Sequence, residues 1–278
     1  MASALLAFAA SVVWGVGDFA GGLISRRLPV AGVTVLQHAA GLAAIALLAL
    51  ALGDGLSGRA VVIGALGGVF SAGGILAYYR ALAIGTMSIV SPLAACGAVV
   101  TVAVSLAGGE RPSPLALTGA GIALTGAVLA SVHEHSRGGA SRESVLLALV
   151  TAFMFGMQLY FVGRASDEGD PVSAILGTRL VSALALALLV WRLWGRIDLS
   201  RPLLVGGIVV TGVLVVTANV LYGFAAEQGL VSIASVLASL YPVTIVILAY
   251  VALHERLNAT QLVGVVVALT GVALTVLG

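Results

Sequence analysis

Apolar runs fill most of this chain, and short polar breaks separate them. A helix needs about 20 consecutive apolar residues to cross roughly 30 Å of hydrocarbon. With Gly, Pro and charged residues as punctuation, that length predicts ten spans, at about 4–24, 31–52, 60–82, 86–107, 113–132, 144–163, 171–191, 202–226, 230–252 and 259–277. The breaks between them are short, such as Gly53-Asp54-Gly55 and Gly108-Gly109-Glu110-Arg111-Pro112. The longest polar stretch, His133 to Arg142, falls in the middle and reads as a linker with five spans on either side. The pattern predicts an all-α integral membrane protein of ten transmembrane helices.

The two halves, 1–138 and 139–278, are related in sequence. Glu110 to Leu129 returns as Glu255 to Leu274 at an offset of 145, with identities that include Glu110/Glu255, Arg111/Arg256, Gly119/Gly264, Thr125/Thr270 and Gly126/Gly271. Trp14-Gly15 matches Phe155-Gly156, and His38 matches Arg179, at offset 141. Tyr78 meets Tyr222, and Gly85 with Ser88-Ile89 meets Gly229 with Ser232-Ile233, at offset 144. Two homologous halves with an odd number of spans each must lie upside down relative to one another. Inverted repeats of this kind build carriers that alternate access around a midplane site. Gly119, Ala123 and Gly126, with their repeats Gly264, Ala268 and Gly271, form small-residue stripes that read as helix–helix packing.

Composition narrows the class further. A mean hydropathy of +1.17 with 9% charged residues excludes an ordinary soluble domain, where about 25% are charged. The first apolar segment begins within a few residues of Met1 without a basic leader, which reads as a retained signal-anchor helix and not a cleaved signal. One cysteine, Cys96, leaves no disulfide framework and no multi-cysteine metal site. All 13 basic residues are arginine, scattered over short loops in a way that does not suggest nucleic-acid binding. With so much Ala, Gly and Val, that usage points to a GC-rich bacterial genome; for a bacterial protein with this many spans the expected location is the inner membrane.

Charges inside a bilayer cost about 2.5–3.5 kcal/mol each on insertion scales, so they are rare and usually functional. Three ionisable groups fall well inside the predicted spans: Asp18, His38 and Arg179. Asp18, tuned by a neighbouring His38 on an adjacent antiparallel helix, is placed to exchange a proton in step with transport. Arg179 is placed to hold an anionic group, because its planar fork matches a carboxylate. The competing reading makes them a static buried ion pair that fixes helix packing. Trp14, Tyr78, Gln158, Asn219, Tyr222 and Tyr241 complete a candidate substrate site. For each a structural role competes: interface anchoring for the aromatics, and a buried hydrogen bond for the amides. Trp191, Trp194 and Tyr250 read as anchors. Pro92 and Pro242 are candidate hinges, since each removes a backbone hydrogen bond from its helix.

These residues resemble the EamA family of the drug/metabolite transporter superfamily. The similarity rests on Trp14-Gly15, on Tyr79 to Leu82 closing the third span, and on Gly85 to Ser88 opening the fourth. In the second half it rests on Ser239-x-x-Pro242, on the end-of-span acid (Glu110 and Glu255), and on Gly264 with Gly271. It covers both halves as five-helix repeats. Two positions depart from the family pattern: Ala98 stands opposite Pro242, and His38 stands where relatives often carry an arginine like Arg179. The resemblance implies a secondary transporter, most often an exporter of small organic solutes with amino acids among them, and relatives that move sugar phosphates or nucleotide sugars.

The sequence carries no Gly-x-Ser-x-Gly, His-Glu-x-x-His or phosphate-cradling loop, so no enzyme is expected. No metal or other cofactor is expected either, and His133-Glu134-His135 reads as solvated linker. The expected partners are a small-molecule substrate, membrane lipid and protons, with the protein a monomer or homodimer. A passive channel and a non-transporting scaffold remain the rival classes. Arginine is concentrated on the face opposite the termini, which by the positive-inside rule places both termini outside. The family habit places them in the cytoplasm.

Overall fold

The computed structural model describes residues 2–25, 27–52, 55–84, 93–131, 142–168, 170–193, 201–253 and 259–278. Among the described residues every regular element is a helix. In chain order these are α1 (Ala2–Ser25), α2 (Val30–Leu52), α3 (Gly58–Ile84), α4 (Gly97–Ala107), α5 (Pro114–Ser131), α6 (Arg142–Ser166), α7 (Pro171–Leu193), α8 (Pro202–Glu227), α9 (Val231–Ala238), α10 (Tyr241–Leu253) and α11 (Ala259–Leu277). Helices satisfy their own backbone groups, which hydrocarbon cannot do. Among the described residues seven segments are long and apolar enough to span a membrane, one of them made of α9 and α10 together, and three shorter apolar helices cover 93–107, 114–129 and 259–275. Outward leucines such as Leu50 and Leu203, 79% and 88% exposed, form a lipid-facing surface. Trp191 and Tyr250 are exposed too, in keeping with anchoring; Trp194 lies outside the described residues.

Local sequence sets several helix starts. Proline opens α5, α7 and α8, where its missing N–H would find no intrahelical partner in any case. Ser113 Oγ accepts from Ala116 N at 3.0 Å and Asp170 Oδ1 from Ser173 N at 2.8 Å, the usual N-cap bonds. Asp170 also accepts from Ser57 N at 3.0 Å, so one cap ties α7 to the start of α3. Burial of Asp170 opposes its ionisation, but the bonds from Ser173, Ser57 and Val172 prevail and hold its pKa below the usual carboxylate value.

Packing repeats with the halves exchanged, as a two-fold relation requires. A Cβ added at Gly15 on α1 would lie 2.9 Å from the Tyr241 carbonyl and collide with Thr244. A Cβ added at Gly156 on α6 would collide with the Gly97 carbonyl and lie 2.6 Å from Val100 Cβ. Tyr241 and Thr244 stand 144 positions after Gly97 and Val100. The glycine of each Trp/Phe-Gly pair therefore lets α1 meet α10, and α6 meet α4, at backbone distance. Likewise a Cβ at Gly68 would lie 2.5 Å from the Thr178 carbonyl, and one at Gly212 2.5 Å from the Gln37 carbonyl. The small-residue stripes of α5 and α11 face each other: a Cβ on Gly126 would meet Ala268, and one on Gly271 would meet Ala123.

Gly156→Leu is expected to destabilise the fold by about 3 kcal/mol or more, because the obstacle is backbone and overpacking already costs about 1–3 kcal/mol where side chains can yield. Gly22→Leu, at a position where nothing lies within 4 Å, should be nearly neutral. Thermal melting in detergent distinguishes them; equal melting temperatures would refute the close approach of α6 to α4.

Candidate functional site

Both halves break a helix at the same place. Leu240 N donates to Leu237 O at 3.3 Å and Val243 N to Leu240 O at 3.0 Å, in a tight turn between α9 and α10. In the first half Cys96 N donates to Leu93 O at 3.2 Å and Val99 N to Cys96 O at 2.9 Å. These are the same two bonds, 144 positions earlier. Pro242 follows one turn and Ala98 the other, so the break does not require the proline ring. Pro92, the other hinge candidate, lies outside the described residues. Interrupted helices in corresponding positions of two repeats mark where such proteins bind their cargo.

A cavity of about 140 Å³ lies between these breaks. Most of its walls come in repeat-related pairs, all lining the same space: Trp14 with Phe155, His38 with Arg179, Ser71 with Val215, Ile75 with Asn219, Ala95 with Ser239, Gly97 with Tyr241. The positions are symmetric and the chemistry is not. Asp18 faces Leu159 of the other half in this pairing, and Arg179 faces His38. One acid and one guanidinium thus share a largely apolar chamber.

Arg179 is 4% exposed and its Nε has no hydrogen-bond partner. Its Cδ lies beside Gly41 of α2, 3.7 Å from where a Cβ would be. The ion pairs among the described residues are Arg59–Glu168, Arg80–Glu143 and Arg164–Asp167, and none involves Arg179 or Asp18. A buried charge without a partner is strongly unfavourable, and pairing with an anion that enters the cavity would remove that cost. Asp18 is exposed where His38 and Arg179 are buried, and its carboxylate accepts no hydrogen bond from any described residue.

The expected Asp18–His38 pair does not form. α1 and α2 are not close neighbours, because α8 lies between them: Gly17 of α1 sits against Val215, and Gly41 of α2 against the Gly212 carbonyl. His38 instead donates from Nδ1 to the Thr34 carbonyl at 2.9 Å, which leaves Nε2 as an acceptor in the neutral ring. Arg179 lies within electrostatic reach of that ring.

Trp14, Asp18, His38, Tyr78, Gln158, Arg179, Asn219 and Tyr241 all line the cavity. Tyr222 does not. It is fully buried, donates its hydroxyl to the Leu159 carbonyl at 2.8 Å, and packs behind Trp14 with ring centroids 6.1 Å apart. It supports the site from outside. Asn219 Nδ2 donates to Val215 O at 2.6 Å, a structural bond that fixes the amide while the residue remains in the wall. Gln37, Ser71, Phe155 and Ser239 are further lining residues. Phe155, whose ring lies 6.0 Å from that of Tyr78, was signalled as the repeat partner of Trp14. Ser239 was signalled by the Ser239-x-x-Pro242 resemblance, whereas Ser71 looks ordinary in sequence, since serine is common in membrane helices.

A helical membrane bundle with paired helix breaks around one central cavity has the form of a carrier. The sequence matches the EamA-like transporter family twice, over residues 1–132 and 142–277. The chain belongs to that family, whose members are membrane transporters of the drug/metabolite type and not enzymes. A solved crystal structure superposes with a TM-score of 0.82 at 22% identity, covering 99% of this chain and 96% of the other, and so shares the fold. Comparison with curated proteins finds no match.

Proposed function

We propose that this protein is a ten-helix carrier, built of inverted repeats 1–138 and 139–278, that exports a small zwitterionic metabolite, amino acids first, across a bacterial inner membrane. The cavity between the two helix breaks is its binding site, and the halves rock about it to expose it to either face in turn. The observation that carries this reading is the buried, unpaired guanidinium of Arg179, which takes the substrate carboxylate. The rings of Trp14, Tyr78 and Tyr241 in the same cavity offer faces to the ammonium group, an attraction worth about 2 kcal/mol when desolvated. Asp18 carries the counter-transported proton. The outward direction rests on the habit of the family.

Counterflow in proteoliposomes with a panel of labelled amino acids tests this. Saturable exchange of at least one member is expected. Flux that does not saturate and shows no trans-stimulation would identify a channel, and silence across the panel would exclude amino acids as cargo.

A further inference from the structure

Polar ties between the halves gather at the end of the bundle that holds the start of α1, outside the cavity. Glu110, in the link between α4 and α5 of the first half, accepts three hydrogen bonds from the first turn of α9 in the second. Val231 N donates to Oε1 at 3.1 Å; Ser232 N and Ser232 Oγ donate to Oε2 at 3.0 Å and 2.5 Å. The first turn of a helix presents unpaired N–H groups and the positive end of its dipole. Here both are met by a carboxylate from another repeat.

Neighbouring contacts converge on the same point. Gly163, near the end of α6, packs on the Val231 side chain without room for a Cβ, and Ser3 on α1 donates to the Ala225 carbonyl at 2.7 Å and presses on Gly229. The ends of α1, α4, α6 and α9 thus meet here, and the same helices supply Trp14, Gly97, Phe155 and Ala238 to the cavity wall. Glu110 thus ties the α4–α5 link to the start of α9, and any parting of the two at this end breaks those bonds.

We propose that Glu110 is a positioning residue of the transport cycle: a latch that keeps the gate at this end shut, made and broken once per turnover. This rests on the alternating-access reading above. Glu110 touches no cargo and acts only on which face the cavity meets.

The test uses a cysteine reporter buried beside the latched turn: Ser235→Cys in a Cys96→Ala background. Ser235 is fully buried one turn past Ser232, with its hydroxyl on the Ser232 carbonyl. A membrane-impermeant maleimide is applied from each face of oriented vesicles. Adding Glu110→Ala should raise labelling from one face by about tenfold, as expected for losing one charge-assisted set of bonds, and leave the other face unchanged. Glu110→Gln keeps one acceptor oxygen and should give a smaller rise on the same face. An equal rise from both faces would mean general loosening and would overturn the latch, as would no rise. Labelling needs no substrate, so a wild-type protein silent in counterflow would count against the carrier reading and leave the latch test intact.

Discussion

Arg179→Ala is expected to abolish counterflow of carboxylate-bearing substrates while the protein remains folded and extractable. A bidentate guanidinium–carboxylate contact consists of two charge-assisted hydrogen bonds, each worth about 1.5–3 kcal/mol. Their loss lowers transport by roughly a hundredfold or more. Folding should survive because no acid is orphaned by the change: among the described residues Arg179 forms no ion pair, and its Nε is already unpartnered. Removing it relieves a buried charge. Arg179→Lys tests the geometry separately, since a lysine retains the charge and loses the planar fork; it should recover only a minor part of the rate. Initial counterflow rates, with melting temperature as the control for folding, decide the matter. Turnover unchanged in Arg179→Ala would remove this residue from substrate binding.

Asp18→Asn is expected to separate exchange from accumulation. Asparagine nearly matches aspartate in shape but cannot take up and release a proton. The carboxylate accepts no bond from any described residue, so the substitution breaks nothing that holds α1 in place. Counterflow of one labelled substrate against the same unlabelled substrate needs no net proton movement and should persist. Across a gradient of about two pH units, one-for-one coupling allows up to about a hundredfold accumulation, since each unit is a factor of ten. In Asp18→Asn that ratio should fall to about one. Accumulation that survives would assign the proton to another group, and loss of counterflow as well would make Asp18 part of the substrate site.

The two results also bear on why the cavity is chemically lopsided. The repeat places His38 and Arg179, and Asp18 and Leu159, at equivalent positions. A strictly symmetric chamber would carry two cations or two acids facing each other across a low-dielectric space, an arrangement made costly by their repulsion. Divergence of the halves leaves one guanidinium from α7 and one carboxyl from α1, and neither forms an ion pair among the described residues.

Much of this is legible in the sequence. Span positions follow from hydrocarbon thickness, and the repeat follows from Glu110/Glu255, Trp14/Phe155 and Tyr78/Tyr222. The three intramembrane ionisable groups stand out because burial of charge is costly. All three line the cavity, as do Trp14, Tyr78, Gln158, Asn219 and Tyr241. What the chain could not reveal is which way each helix faces. A soluble helix shows its core side by its polar opposite side. These helices are apolar all round, because lipid and protein interior ask for the same residues, so periodicity is silent about orientation. That is why Tyr222, a plausible wall residue by spacing, proves to sit behind Trp14, and why Asp18 and His38, plausible partners by depth, are separated by α8. Neighbour relations came from backbone approach at Gly17, Gly41 and Gly212, where the absence of a side chain matters only once the opposing helix is in place. Sequence by itself determined the helical membrane class, the duplication and the chemical inventory, each a consequence of local composition. Tertiary structure alone decided that two tight turns 144 positions apart face one cavity, that Arg179 forms no ion pair there among the described residues, and that Glu110 reaches across to α9. Those facts depend on distances between residues far apart in the chain.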